Sequence, residues 1–411
     1  LKKFQFIALF FAIILSGCSG GGDSGFGSNT NVLVSTSPVA RDASLPAASA
    51  GPYSVASTNI EFDAALMAAG TIPHDYLGGN DIGGTRYYIN TILTNSADTF
   101  QFNVVVPNDN TLYGSETNAT VPYVGYILYP TTTPSTFLDF NLGTTVLPGM
   151  HTAGQTPVFE NNAAKYPLVI YSHGQGSQPL TQQQIDLAQL IASQGYIVCM
   201  LFHGDNRFPQ FSSADLTQAQ SIALRPLAVK TAIDALLSST TIFGAIFSAH
   251  IDATRIGGVG ESFGGSAMAA LQGAQIIGPS MTSTRPLMKD ARIKASANIV
   301  PFLGKSSGDL FGLKHKGISY MTSNQPYMAI TGALDNLTSQ SDYKEAIGLM
   351  NSDRYLISIS NESHAFTASA YSDASAWILQ FLEAYVKKIA AAKSTLEKAS
   401  SVDAGGNDSV L

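Results

Sequence analysis

The strongest chemical signal in the chain is Gly260-Glu261-Ser262-Phe263-Gly264, followed by a second glycine at 265. It stands between a strand-like run, Arg255–Val259, and a small-residue helical stretch, Gly264–Leu271. A G-x-S-x-G between strand and helix reads as a strained turn that lifts a serine hydroxyl above a sheet at a helix N-terminus. The glycines leave room for backbone to pass close to the serine. A serine hydroxyl is a weak nucleophile, so the chemistry requires a base to take its proton and an acid to orient that base.

Turns of this kind keep the chain order serine, acid, histidine. Of seven histidines only His315 and His364 follow Ser262. His364 lies in NESHAF, just past the strand-like Tyr355–Ile359, and the carboxyl ends of strands are where open α/β sheets place site residues. His315, in GLKHKG, has no strong strand before it and reads as a solvated loop residue. Asp335, in TGALDN, follows the run Tyr327–Thr331, whereas Asp309, Asp342 and Asp353 sit in loop or helical surroundings that suit surface or capping carboxylates. Two backbone N–H donors must face the developing oxyanion. The expected pair is Phe263, after the nucleophile, and Gln175, in the glycine-rich loop Tyr171–Ser177. His173 in that loop precedes the serine and is expected to be structural.

The elements that position these residues follow from patterning. Residues 31–164 are mostly strand-like, with Thr99–Val106 and Tyr123–Tyr129 as the clearest strands, a short helix over Ile60–Ala69, and loops at Asp75–Gly84 and Pro107–Thr120. From 165 to 399 short apolar strands alternate with helices, and Ser375–Lys393 reads as a closing amphipathic helix. That alternation predicts an α/β fold, a mostly parallel sheet with helices on both faces and an N-terminal β-rich extension that includes its first strands. Residues 400–411 read as a disordered tail.

Composition narrows the function. The 411 residues are 45% hydrophobic and 12% charged, with 22 basic against 29 acidic side chains. A net charge of −7 speaks against nucleic acid as a partner. Two cysteines, Cys18 and Cys199, give no disulfide framework, and no metal-ligand spacing is present. The start of the chain reads as an export address: Lys2 and Lys3, then apolar residues to Leu15, a run of about 18 Å at 1.5 Å per residue and too short to span ~30 Å of hydrocarbon. Leu15-Ser16-Gly17-Cys18 looks like a lipoprotein cleavage site, with residues 1–17 as signal peptide, Cys18 as the acylated residue and 18–30 as a flexible Gly/Ser tether. Ser19 resembles the residue at this position in outer-membrane lipoproteins of Gram-negative bacteria. A monomer exported and held at the cell envelope through Cys18 is the expectation.

The segments PLVIYSHGQGS, LIASQGYIVCMLFHGDNR, RPLAVKTAIDAL, IDATRIGGVGESFGGSAMAAL and SISNESHAFT resemble the α/β-hydrolase superfamily, over roughly residues 165–390. The branch they look most like holds dienelactone-hydrolase-like proteins, platelet-activating-factor acetylhydrolases and cutinase-like polyester hydrolases. The resemblance implies ester cleavage by Ser262, His364 and Asp335, oxyanion binding by Gln175 and Phe263, and no cofactor or metal. The chain departs from it in several places. Glu261 replaces the His or Trp usual at the elbow, and the single tryptophan, Trp377, lies in the last helix rather than near the site. About fifty residues around 61–120 have no counterpart. Phe208, Phe211, Phe302 and Phe311 are candidate acyl-pocket residues on loops 203–220 and 301–323, and Asp205 is expected to pair with Arg207. The same machinery would serve an amide or thioester. A surface lipoprotein that keeps the fold only for binding is the non-enzymatic alternative, against which the complete set of residues speaks.

Overall fold

Tyr166–Ser172 and Ile197–Phe202 are apolar at nearly every position, and a strand apolar on both faces must be covered on both. Every residue of the two is buried in the computed structural model, which describes residues 40–94, 97–208, 215–275, 288–304, 320–402 and 408–411. Among the described residues the central sheet has ten strands: β1 (Ser54–Ser57), β2 (Phe100–Val105), β3 (Thr120–Thr131), β4 (Tyr166–Ser172), β5 (Ile197–Phe202), β6 (Ile251–Glu261), β7 (Ile293–Ile299), β8 (Tyr327–Gly332), β9 (Arg354–Ile359) and β10 (Asp408–Val410). Across the sheet they run β10-β9-β8-β7-β6-β4-β5-β3-β1. The first half of β3 pairs with β2 and its last residues pair with β1. The six strands β4 to β9 are mutually parallel, while β1, β2, β3 and β10 run antiparallel to their partners. The expected α/β architecture is therefore present, with the N-terminal strands built into the same sheet.

Helices cover both faces because side chains alternate along each strand. Leu168 and Ile170 of β4 point into one core layer, with Val229, Ile233 and Leu236 of α2 (Asp215–Leu237) and Met268 and Leu271 of α3 (Phe263–Leu271). Val169 and Tyr171 point into the other, with Ile185 and Ile191 of α1 (Gln182–Ser193) and Trp377 and Phe381 of α5 (Ala368–Tyr385). Helix α4 (Gln340–Leu349) joins the first layer through Tyr343 and Ile347. Thr181 and Gln184 start α1 with a reciprocal capping box.

The structure corrects three expectations. The closing helix is two helices, α5 and α6 (Ala390–Lys398), because the chain turns at Lys388 with φ 63°, outside the helical range. The expected helix over Ile60–Ala69 shrinks to one turn, Ala64–Leu66, since the Asn59 side chain bonds the His151 carbonyl and the Glu61 amide and holds the entry extended. The tail is not free: Ala399–Val402 pairs with Ala43–Leu45, and β10 adds to the sheet edge beside β9. Its anchor is Asp408, whose carboxylate accepts from the buried Trp377 indole and from the Val402 amide. Replacing Asp408 by Ala leaves that indole N–H without its acceptor. The expected cost is about 1–3 kcal/mol, read as a lower urea midpoint.

Candidate active site

Ser262 joins the end of β6 to the start of α3 with φ 50° and ψ −115°. A non-glycine residue held there costs on the order of 1–3 kcal/mol and persists only where its surroundings over-determine it. Its N–H donates to Ile299 O at 3.0 Å, and its carbonyl accepts from Phe302, Gly265 and Ser266 amides at 3.0, 3.0 and 3.2 Å. The flanking glycines are a steric necessity. A Cβ on Gly264 would stand 1.7 Å from Ser172 O, and one on Gly260 would stand 2.5 Å from the Gly265 nitrogen.

The loop after β9 brings His364 Nε2 to 3.0 Å from Ser262 Oγ. The loop after β8 brings Asp335 Oδ2 to 2.9 Å from His364 Nδ1. The two loops are tied together where Ala333 N donates to Ile359 O and Leu334 N donates to Glu362 O. Asp335 is buried and richly bonded: Leu337 and Thr338 amides reach Oδ1 at 2.9 and 3.1 Å, and the Tyr343 hydroxyl reaches Oδ2 at 2.9 Å. Burial pushes its carboxyl up, but the His364 hydrogen bond and the two amides outweigh it and hold the group below the usual carboxylate range. An ionised Asp335 accepts from Nδ1–H, which leaves the Nε2 lone pair facing the serine hydroxyl. The arrangement can therefore take a proton from Ser262.

The loop carrying Gln175 passes beside the nucleophile, since a Cβ on Gly174 would lie 3.5 Å from Ser262 Cβ. Phe263 opens α3, so its N–H has no partner within the helix. Sequence reasoning missed what holds the Gln175 loop. Arg225 of α2, fully buried, donates to the carbonyls of His173 and Gly174 and to Asp205 Oδ2. Asp205 in turn accepts from Gly176 N at 3.4 Å. Asp205 thus pairs with Arg225, correcting the expected pairing with Arg207. The Arg207 guanidinium instead lies over the rings of Tyr88, Tyr123 and Phe208 at 3.9, 4.6 and 4.8 Å and donates to Pro122 O. Sequence distance misled here: the lone arginine in the apolar stripe ALRPLAV was the available signal.

Two buried histidines complete this support. His173 Nδ1 lies 2.7 Å from Gly174 O, and His173 Nε2 accepts from His203 N at 3.1 Å. His203 Nε2 lies 2.7 Å from Ser172 Oγ. Burial and the Arg225 cation push His173 down to about 3 and His203 well below its ordinary value, so both are neutral. Glu261 extends from the elbow to the other side, where its Oε2 accepts from Tyr171 Oη and Gln184 Nε2 at 2.8 Å each and from Tyr371 Oη at 3.3 Å. Of the candidate acyl-pocket residues, Phe302 lies beside the elbow with its ring 5.0 Å from that of Phe263, and Phe208 is buried in the core. Phe211, Phe311, Asp309, His315 and Cys18 lie outside the described residues. Asp342 falls in the first turn of α4, and Asp353 accepts from Lys393 and Tyr385. Cys199 and Trp377 are core residues.

The neutral histidines have a measurable consequence. In the unfolded chain His173 takes a proton near pH 6.5, whereas the folded chain refuses it down to about 3. The stability this represents is complete above pH 6.5 and is lost as pH falls toward 3. Between pH 6 and 4, wild type should lose up to about 1.4 kcal/mol more per pH unit than His173→Gln, measured by urea unfolding.

No family model and no curated protein sequence matches the chain. Among solved structures, a ferulic acid esterase from Streptomyces cinnamoneus superposes with a TM-score of 0.53 at 16% identity, over 76% of this chain and 95% of that one. At that identity the likeness concerns the fold. With the parallel β4–β9 core, the elbow after β6 and helices on both faces, the chain has the α/β-hydrolase fold.

Proposed function

We propose that the protein is a serine hydrolase that cleaves carboxylic esters through an acyl-enzyme. The observation that carries this reading is the unbroken line from Ser262 Oγ through His364 to Asp335, with both hydrogen bonds at or below 3.0 Å. Ser262 Oγ attacks the ester carbonyl as His364 Nε2 takes its proton. Asp335 orients the imidazole and stabilises the imidazolium. The N–H groups of Phe263 and Gln175 receive the oxyanion, and the neutral His173 adds no charge of its own. His364 then gives its proton to the leaving alcohol, and water releases the acyl group by the same route. An esterase among structures of this fold supports an ester as the substrate.

We place this activity at the cell envelope, in a monomer held by lipid on Cys18. The lipid anchor rests on the sequence Leu15-Ser16-Gly17-Cys18 alone. Metabolic incorporation of a labelled fatty acid, abolished by Cys18→Ala, is the expected result.

Hydrolysis of p-nitrophenyl esters and labelling by a fluorophosphonate test the reaction. Ser262→Ala should remove the labelling and lower kcat by about 10⁴-fold or more. Turnover that survives in Ser262→Ala would exclude Ser262 as the nucleophile, and a parallel amide substrate shows whether the leaving group is an alcohol. Arg225 acts through the loop it holds. Arg225→Lys keeps the charge opposite Asp205 but loses the planar fork on two carbonyls. Displacing one oxyanion donor should lower kcat about 10–100-fold with KM little changed, a split that a purely structural loss would not produce.

A further inference from the structure

The segment without counterpart in the resembling families gives the sheet β2, but its residues 61–94 form no strand of that sheet. Its turn at 78–80 is docked on the 204–207 turn: Asn206 N donates to Gly78 O at 3.1 Å, and Asn206 Nδ2 donates to Asn80 Oδ1 at 2.6 Å. Gly79 packs so closely that a Cβ there would stand 2.9 Å from Arg207 Cβ. The same 204–207 turn carries Asp205, which holds Gly176 and Arg225. The inserted segment and the Gln175 loop therefore hang from one support.

Between this segment and the hairpin Phe140–Leu142/Thr145–Leu147 lies a cavity of about 820 Å³, walled by Phe62, Met67, Ile72, Leu77, Phe140 and Leu142 among others. Among the described residues no Asp, Glu, Lys or Arg lines it. A second cavity of about 290 Å³ contains Gln175, Gly176 and Ser177 and shares His74, Gln178 and Thr181 with the first. Gly174, next to Gln175, abuts Ser262. The larger volume falls in the range of ligand pockets, roughly 300–1,000 Å³, and its wall sets these apolar side chains beside His74, Asn141, Gln178, Gln182 and three threonines.

We propose that this bay receives an uncharged alkyl or aromatic tail of the ester, so that the protein favours bulky hydrophobic esters over acetyl esters. The proposal rests on reading Ser262 as the nucleophile. The shared residues His74, Gln178 and Thr181 make the two cavities neighbours, and the smaller one is lined by Gln175, whose loop abuts Ser262 through Gly174. Among the described residues the wall offers hydrogen-bonding groups but no charged side chain to pair with an ionised acyl group, which disfavours such groups.

The test compares kcat/KM for p-nitrophenyl octanoate with that for the acetate, and for octyl acetate with that for methyl acetate, on the full chain. Ile72→Glu places a charge on the bay wall at a position 59% exposed, and Val105→Glu is a control at an exposed position outside it. The expected result is a strong preference for the long member of at least one pair, falling tenfold or more in Ile72→Glu and unchanged in Val105→Glu. The pair that responds shows whether the tail belongs to the acyl or the alcohol side. No preference in either pair, or one that Ile72→Glu leaves intact, overturns the proposal. Absence of all turnover would overturn the ester reading separately. The bay is then judged by equilibrium binding to Ser262→Ala, where the octanoate ester should bind at least tenfold tighter than the acetate and lose that advantage with Ile72→Glu, and equal binding overturns the proposal.

Discussion

The constraint on which the rest of the structure depends is the backbone at Ser262. Its φ of 50° cannot be held by one turn alone. It is fixed by the end of β7 through Ile299, by the Phe302 amide beyond it, by the first turn of α3, and by β4, whose Ser172 carbonyl fills the space a side chain on Gly264 would need. Three adjacent parallel strands thus end at one point, and their order in the sheet makes this possible. Loops after β8 and β9, one and two strands further along from β7, then arrive at the distance that Asp335 and His364 must bridge. The elbow sets where everything else has to be.

A second support holds the opposite wall. A buried guanidinium takes two carbonyls and one carboxylate, and burying such a pair is tolerated where geometry satisfies both ions. Neutral His173 and His203 fill the space around it, kept uncharged by burial and by the neighbouring cation. Through Asp205 this cluster reaches the 204–207 turn, and through that turn the inserted segment. The wall beside the serine is therefore assembled from four distant stretches of chain.

This division explains what could be read in the sequence. The parallel strands were legible because each is a short apolar run, and Ser262, Asp335 and His364 were legible because each follows such a run. Arg225 was not: it meets its partners 20 and more residues away, and a contact of that kind leaves no period in the chain. The pairing of Asp205 with its sequence neighbour Arg207 failed for the same reason, since Arg207 found three aromatic rings instead. The Asp408–Val410 strand was hidden by its polar composition, because its place depends on one carboxylate meeting the Trp377 indole. The 61–94 segment, made of short turns and two-residue strands, carries its order in contacts rather than in pattern.

Glu261 is the x before the serine in G-x-S-x-G, and in this chain it is bound to Tyr171 on β4, Gln184 on α1 and Tyr371 on α5. Four residues from four elements make one cluster beneath the elbow. A Trp at 261 offers no acceptor and a His at most one, so the Gln184 amide and the two phenols, which also bond each other at 3.2 Å, would lose the carboxylate they share. Exchanging this cluster for the aromatic elbow of the resembling families would therefore require substitutions at 171, 184 and 371 along with 261.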